Sequence, residues 1–415
     1  MVVLALVLLP CTVSAQVLPG GLTRLPGSGL LGQPLDRVTS NVQSLGNTVF
    51  QAPSRLTGLI RRSNGALEAD PFGWPVVSGE IVAIGLSDTA RAEAERLGYG
   101  LIRQEHLPEL GLSVLVLSPP RGQRLARAVE RLADIAPEAD IDFNHVHAPA
   151  GELSAEVELC SDATPQSGRA ASLGLIDTGV AVHPSLATSS ITQQGFAGTV
   201  RPAAHGTAVA SLMVGQASIF SGAAPGADLR VADIYGDSAT GGSSTALARA
   251  LAWMAGHGVT VVNVSLVGPR NPLVARAVAA VQARGVTLVA AAGNDGPAAP
   301  PLYPAAYSGV VGVAAVNDRQ RPLPETGRGP HVDFAAPGAD MAAADQAGGY
   351  VTVRGSSFAA PLVAGLIARH GLGGVTRQAI DLGQRGRDDA FGEGLVGAGL
   401  AVAPRTAAAR GSLRQ

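Results

Sequence analysis

The sequence predicts an α/β protein: a three-layer domain on a mainly parallel central sheet, preceded by a small α+β unit. Two patterns and one composition carry that expectation. From residue 172 onward, near-continuous Val, Leu, Ile and Ala strands alternate with helices, which is how a parallel sheet covered on both faces reads. Between residues 80 and 147 the order is strand, helix, strand, strand, helix, strand, a split βαβ arrangement. Hydrophobic residues make up 46% of the 415 and charged ones 15%, enough apolar surface for a large core and too little charge for a disordered chain.

Taken in order, residues 1–10 are apolar but too short to span a bilayer, and Val13 and Ala15 suit cleavage after a small residue. Residues 1–15 therefore read as a signal peptide. Residues 16–78 are rich in Leu, Gly, Pro and Ser without a stable period and read as a poorly ordered leader. The small unit spans 79–147, with strands at 80–86, 99–103, 112–117 and 141–147 and helices at 87–97, opened by Ser87, and 122–135. A polar connector, 148–170, follows. The large domain spans 171–403, with strands at 172–177, 229–235, 259–265, 287–292 and 310–316 and helices at 205–215, 244–258, 272–284 and 357–370. Residues 404–415 read as a tail.

The net charge of −2, from 30 basic residues (all Arg) and 32 acidic ones, has no long run of either sign. Neither nucleic acid nor an anionic membrane surface has electrostatic support as a partner. The two cysteines, Cys11 and Cys160, exclude a disulfide scaffold.

Reactive residues of an open α/β sheet gather in loops at the carboxyl ends of strands. Four segments fit that placement. Gly174-Leu175-Ile176-Asp177-Thr178-Gly179 delivers a carboxylate into a turn. His205-Gly206-Thr207-Ala208 opens a small-residue helix with an imidazole. Ala291-Ala292-Gly293-Asn294 ends a buried strand in an amide, and Gly355-Ser356-Ser357-Phe358 sets a hydroxyl at a helix N-terminus. Singly, each residue is an ordinary turn former or helix cap. Together they supply a nucleophile, a base, a carboxylate to orient the base and a donor for an oxyanion, the parts needed for acyl transfer through a serine ester.

On these motifs, from about residue 171 to 403, the chain resembles the subtilisin-like serine proteases. The Asp, His, Ser order is that family's, and no G-x-S-x-G occurs. Gly222-Ala223-Ala224-Pro225-Gly226-Ala227, Val262-Asn263-Val264-Ser265-Leu266 and Phe334-Ala335-Ala336-Pro337-Gly338 resemble its supporting segments, and the unit before them is similar to its ferredoxin-like propeptide. The resemblance implies a catalytic triad of Asp177, His205 and Ser357, with Asn294 and the Ser357 N–H at the oxyanion. It also implies a specificity pocket between Ser265-Leu266-Val267 and Ala291-Ala292-Gly293, with Leu302 near its base. Val267 stands where the family commonly has Gly, so the pocket is expected to be narrow. Polypeptide substrates, the chain's own propeptide as chaperone and inhibitor, self-processing near the Ala150–Gly151 bond, and a secreted or periplasmic location without membrane anchor follow as expectations.

Between His205 and Pro225 the chain offers no Asp, Glu or Asn, and calcium wants six or more oxygens. No metal and no cofactor is assigned. His145 and His147 form an H-x-H pair with no third ligand nearby in sequence and read as structural. Two other functions remain to be weighed. Leu175-Ile176-Asp177-Thr178-Gly179 also fits a retroviral-type aspartic protease, which would be nearly all β, and a subtilase fold can serve as a binding module without activity.

Overall fold

The structure is a computed structural model that describes residues 54–149, 173–410 and 412–414. The expected signal segment, both cysteines and nearly all of the connector lie outside the described residues.

The leader expectation does not hold from residue 54 onward. Helix α1 (Ser54–Arg62) and strand β1 (Leu67–Ala69) precede a long β2 (Pro75–Ile84), which begins five residues before the expected strand. Local composition concealed these elements because their stabilising partners are distant. Leu56 and Trp74 are buried against Val267, Ala291 and Leu302. The Asp70 carboxylate closes the intervening turn by accepting the N–H groups of Phe72 (2.8 Å) and Trp74 (2.7 Å).

Helix α2 (Asp88–Arg96) starts where expected, Ser87 Oγ accepting the Ala90 N–H at its N-cap. Strands β3 (Gly100–Leu107) and β4 (Leu112–Ser118), helix α3 (Leu125–Ile135) and strand β5 (Asp140–His145) complete the unit. The sheet order β5-β2-β4-β3, antiparallel throughout, is that of a split βαβ fold. Alternation along β2 decides its packing. Ile81 and Ala83 face α2 and α3, whereas Val82 and Ile84 join the core of the large domain. The central strand β2 is thus covered on both faces, one of them by the large domain, while the edge strand β3 keeps Leu101 and Ile102 exposed.

A two-residue strand β6 (Ala148–Pro149) leads out of the small unit. The large domain opens with β7 (Leu173–Asp177), a polar β8 (Ile191–Gly195) and helix α4 (Ala204–Val214). A short hairpin of β9 (Gln216–Ala217) and β10 (Phe220–Ser221) then leads to β11 (Leu229–Asp233), α5 (Ser244–Gly256), β12 (Val261–Val264), β13 (Leu266–Val267), α6 (Pro272–Ala283), β14 (Thr287–Ala291) and β15 (Val311–Val316). Last come β16 (Phe334–Pro337), the hairpin β17 (Ala339–Ala344) and β18 (Tyr350–Arg354), and helices α7 (Ser356–His370) and α8 (Leu372–Gln378).

Seven parallel strands form the central sheet in the order β16-β15-β14-β12-β7-β11-β8. Helices α4 and α7 bury one face and α5 and α6 the other, giving three layers. A sheet of this kind is incompatible with an all-β aspartic protease. The tail is also more than a tail: β19 (Ser412–Arg414) pairs in parallel with β18, Ser412 opposite Thr352.

Candidate active site

Strand β7 is buried on both faces and runs straight into Asp177, which places that carboxylate at the carboxyl edge of the sheet. Helix α4 starts beside it. The Thr178 hydroxyl accepts the Gly206 N–H at 2.9 Å and so ties the turn after β7 to the first turn of α4. A Cβ on Gly206 would stand 2.4 Å from the Thr178 carbonyl oxygen, so only glycine allows this approach. His205 therefore lands with Nδ1 2.8 and 2.9 Å from the two Asp177 oxygens. Both side chains are buried, and Asp177 Oδ1 also accepts the Thr178 N–H at 2.7 Å. A carboxylate on Nδ1 holds the ring in the tautomer whose Nε2 is a free base.

Ser357 is the second residue of α7, in the turn whose N–H groups have no carbonyl partner within the helix. The neighbouring Phe358 packs its ring 5.3 Å from that of His205. Ser357 Oγ donates to the Ser265 carbonyl at 3.3 Å, and Ser265 Oγ donates back to the Ser357 carbonyl at 3.0 Å. His205 Nε2 is buried and has no hydrogen-bond partner among the described residues. The nucleophile-to-base hydrogen bond is thus open, as catalytic hydrogen bonds often are before substrate binds.

Asn294 follows β14, and its Oδ1 accepts the Ser356 N–H at 3.0 Å, which leaves Nδ2 as the donor end of the amide. Ser356 Oγ in turn bonds both the N–H and the carbonyl of Gly293, each at 3.2 Å. Ser356 is therefore a positioning residue that the sequence pattern showed only as the neighbour of the nucleophile. Asn263 Nδ2 fixes Ser265 Oγ at 2.8 Å in the same way. Asp233 was not singled out either. It stands opposite Asp177 in register, accepts N–H groups from Arg201, Tyr235 and Gly236, and is held above the usual carboxylate range by burial, with the Asp177 charge adding to the shift. Its signal was a carboxylate ending an apolar strand, the same signal as Asp177.

The expected specificity residues are brought together, with one distinction. Val267, Ala291 and Leu302 share a buried cluster, and a Cβ on Gly293 would lie 2.6 Å from Leu302 Cδ1. Leu266 alternates to the other side and packs with α5 and α6, so it borders the cleft through its backbone rather than as a pocket wall. Ser265 and Ala292 are buried beside these walls.

The cleft's edge strand is occupied. Strand β13 pairs antiparallel with β6, Val267 opposite Ala148 and Leu266 opposite Pro149. One residue earlier, the His147 N–H donates to the Gly242 carbonyl at 2.8 Å, and the Tyr235 hydroxyl donates to the His147 carbonyl at 3.1 Å. The segment His147-Ala148-Pro149 is thus an added strand held from both sides. The His147 ring is wholly buried, neither nitrogen has a partner among the described residues, and desolvation, aided by the charge of His145, lowers it to about 3. His145 has a different environment. Its Nε2 lies 3.3 Å from Asp70 Oδ2, its Nδ1 is 3.2 Å from Asn271 Nδ2, and Asp142 and Asp70 together raise its pKa against the opposing effect of burial. No group of three metal-ligating side chains occurs among the described residues.

Residues 168–370 match the model of the Subtilase family. Subtilisin Savinase of Lederbergia lenta is 31% identical over 207 residues, which is 49% of this chain and 76% of that protein. The chain belongs to the subtilase family. M-protease of Shouchella clausii is also 31% identical, but the match spans only 54% of its length, about half of that relative. Two solved structures share the fold. Fervidolysin of Fervidobacterium pennivorans, a keratinolytic enzyme, matches at TM-score 0.63 and 19% identity over 79% of this chain and 61% of its own. The epidermin leader peptide processing protease of Staphylococcus aureus matches at TM-score 0.56 and 15% identity over 77% and 98%. As a subtilase, the chain is classed with serine-type peptidases, and Asp177, His205 and Ser357 fall inside the matched region.

Proposed function

We propose that this subtilase is a secreted or periplasmic serine endopeptidase made as a self-processing zymogen. The observation that carries the reading is the buried Asp177–His205 pair with an unpartnered Nε2, next to a serine at a helix N-terminus. In this mechanism a rotation of Ser357 Oγ from the Ser265 carbonyl to His205 Nε2 forms the attacking pair. Ser357 Oγ adds to the scissile carbonyl while Nε2 takes its proton, and Nε2 then returns that proton to the leaving amine. Asp177 stabilises the imidazolium in between. Asn294 Nδ2 and the Ser357 N–H serve the oxyanion, which also profits from the N-terminal end of α7. Water repeats the sequence on the acyl-enzyme. No metal or cofactor has a part.

Residues 54–150 act as the prosegment in this reading, and the seated His147-Ala148-Pro149 supports it. Pro149 lies opposite Leu266, the neighbour of Ser265, whose carbonyl holds Ser357 Oγ. The bond to be cut is then Ala150–Gly151, the site the small-residue pocket favours. Export rests on the apolar start of the chain and the small residues at Val13 and Ala15. No single helix among the described residues is long and apolar enough to cross a membrane.

Labelling of the purified chain by a serine-reactive fluorophosphonate tests the reading. Labelling that is lost in Ser357→Ala supports it; a folded wild-type chain that never labels and never acquires a new N-terminus would leave only the binding module.

A further inference from the structure

Tyr235 stands two residues beyond Asp233, the last residue of β11 and the register partner of Asp177. Its main chain is pinned there. Asp233 Oδ1 accepts the N–H groups of Tyr235 (3.0 Å) and Gly236 (2.8 Å), while Oδ2 accepts that of Arg201 at 2.7 Å. The Arg201 carbonyl accepts the Gly179 N–H, and the Gly179 carbonyl accepts the N–H of Ala203, the N-cap residue of α4. One buried carboxylate thus fixes both Tyr235 and the approach to His205.

The Tyr235 ring is half-buried and packs on the core cluster that includes α5, with its hydroxyl end at the cleft. There it donates to the His147 carbonyl at 3.1 Å, while the His147 N–H goes to the Gly242 carbonyl at 2.8 Å. Gly242 leaves room for this contact. Its φ is +80°, and a Cβ on it would collide with the His147 carbonyl oxygen and come within 2.7 Å of Tyr235 Cε1. Both bonds reach main-chain atoms of residue 147, and the next two residues pair with β13 through the main chain as well. Nothing in this hold depends on the side chain at 147, so any extended polypeptide lying in the same place presents the same carbonyl.

We propose that Tyr235 is a substrate anchor: its hydroxyl takes the main-chain carbonyl of the fourth residue before the scissile bond, so that the enzyme favours chains extending at least that far ahead of the cut. This rests on the protease reading above, in which the cut follows residue 150 and His147 is that fourth residue. It also narrows the substrate class to extended polypeptide segments rather than short peptides. A hydrogen bond to a carbonyl three residues away from the reacting one is made alike in the bound substrate and in the transition state. Such a bond lowers KM and leaves kcat where it was. Because Asp233 holds the tyrosine backbone in place, the hydroxyl is set before substrate arrives and little ordering is required on binding.

The test uses the full-length chain after maturation and two chromogenic anilides with the same leaving amine, acetyl-Pro-Ala and acetyl-Ala-Ala-Pro-Ala. The first ends one carbonyl short of Tyr235; the second supplies that carbonyl. Tyr235→Phe keeps the ring and removes the hydroxyl. It is expected to lower the ratio of kcat/KM, long peptide over short, about fivefold, with the loss in KM. Gly242→Ala sets a methyl group against the same carbonyl. It is expected to lower the ratio in the same direction, and it serves if the phenylalanine variant does not mature. A ratio within about twofold of wild type, or a loss that lies in kcat and falls equally on both peptides, overturns the anchor. A wild-type chain that hydrolyses neither peptide and takes no fluorophosphonate label counts instead against the protease reading.

Discussion

Leu302 lies against Gly293 so closely that a single added methyl carbon on that glycine would come within 2.6 Å of Leu302 Cδ1. With Val267 and Ala291 in the same cluster, the space between the two cleft walls is taken up by the protein's own side chains. Gly293 also has φ +100°, which an L side chain rarely adopts. The wild-type enzyme is therefore expected to cut after Ala in preference to Phe in a peptide library. Val267→Gly and Leu302→Gly should each raise kcat/KM for a Phe substrate relative to an Ala one by at least about tenfold, the worth of one or two methylenes in a tight pocket. An unaltered library profile in both variants would place the pocket elsewhere.

The two hydrogen bonds from His205 Nδ1 to Asp177 predict the effect of Asp177→Asn. An amide can present its NH2 to Nδ1 and so select the other tautomer, whose Nε2 bears the proton. Turnover should fall about 10⁴-fold with the fold intact by circular dichroism. A loss of less than tenfold would mean that another group orients the ring.

Asn294→Ala removes one oxyanion donor and is expected to cost about 10²–10³ in kcat, with KM little changed. Ser356→Ala leaves the Ser356 N–H on Asn294 Oδ1 but frees Gly293, so its loss should be smaller and fall in the same parameter. If Ser356→Ala affects only KM, its part lies in shaping the pocket instead.

The parallel sheet was legible because most of its strands are buried on both faces and read as unbroken apolar runs, with Asp177 and Asn294 at or just past strand ends and His205 and Ser357 in the first turns of helices. Strand β8, Ile191–Gly195, was not legible: as the polar edge strand its residues are only half-buried or exposed. Strand β16, Phe334–Pro337, was not among the expected strands because it is short and ends in a proline, which a sheet tolerates at its edge, where β16 sits. Helix α1 was hidden for a different reason. Leu56 and Leu59 look like leader residues until Val267 and Leu302, more than two hundred positions away, are brought beside them. Within the site, the Ser356–Asn294 and Asn263–Ser265 contacts are side-chain geometry, which spacing does not encode.

Between α4 and β11 the chain turns through the short β9–β10 hairpin, which carries no carboxylate. A calcium chelator is accordingly expected to leave the melting temperature within about a degree of its untreated value, since hard cations need several oxygen ligands. A drop that added calcium restores would show that the chain holds a calcium site.

His147 and His145 respond to pH in opposite senses, and their difference can be read in the uncut Ser357→Ala chain. Burial lowers His147 to about 3 from an unfolded value of 6.5. The unfolded chain thus binds a proton that the folded one refuses, and folded stability falls as pH drops from 6.5 towards 3. For a wholly buried ring that loss amounts to roughly 5 kcal/mol across the range. His145 is raised, Asp142 and Asp70 outweighing its burial, so its contribution is complete below 6.5 and disappears as pH rises through its folded value. The prosegment contact should accordingly be firmest near neutral pH. His147→Phe keeps an apolar ring in the same pocket and removes the titration. Its melting temperature should gain on the parent as the pH is lowered from 7 to 4 and run parallel to it above 7. Asp70→Asn should instead lose most where His145 carries its proton, and the gap should close on the alkaline side. If His147→Phe tracks its parent at every pH, then His147 is not held neutral in that pocket.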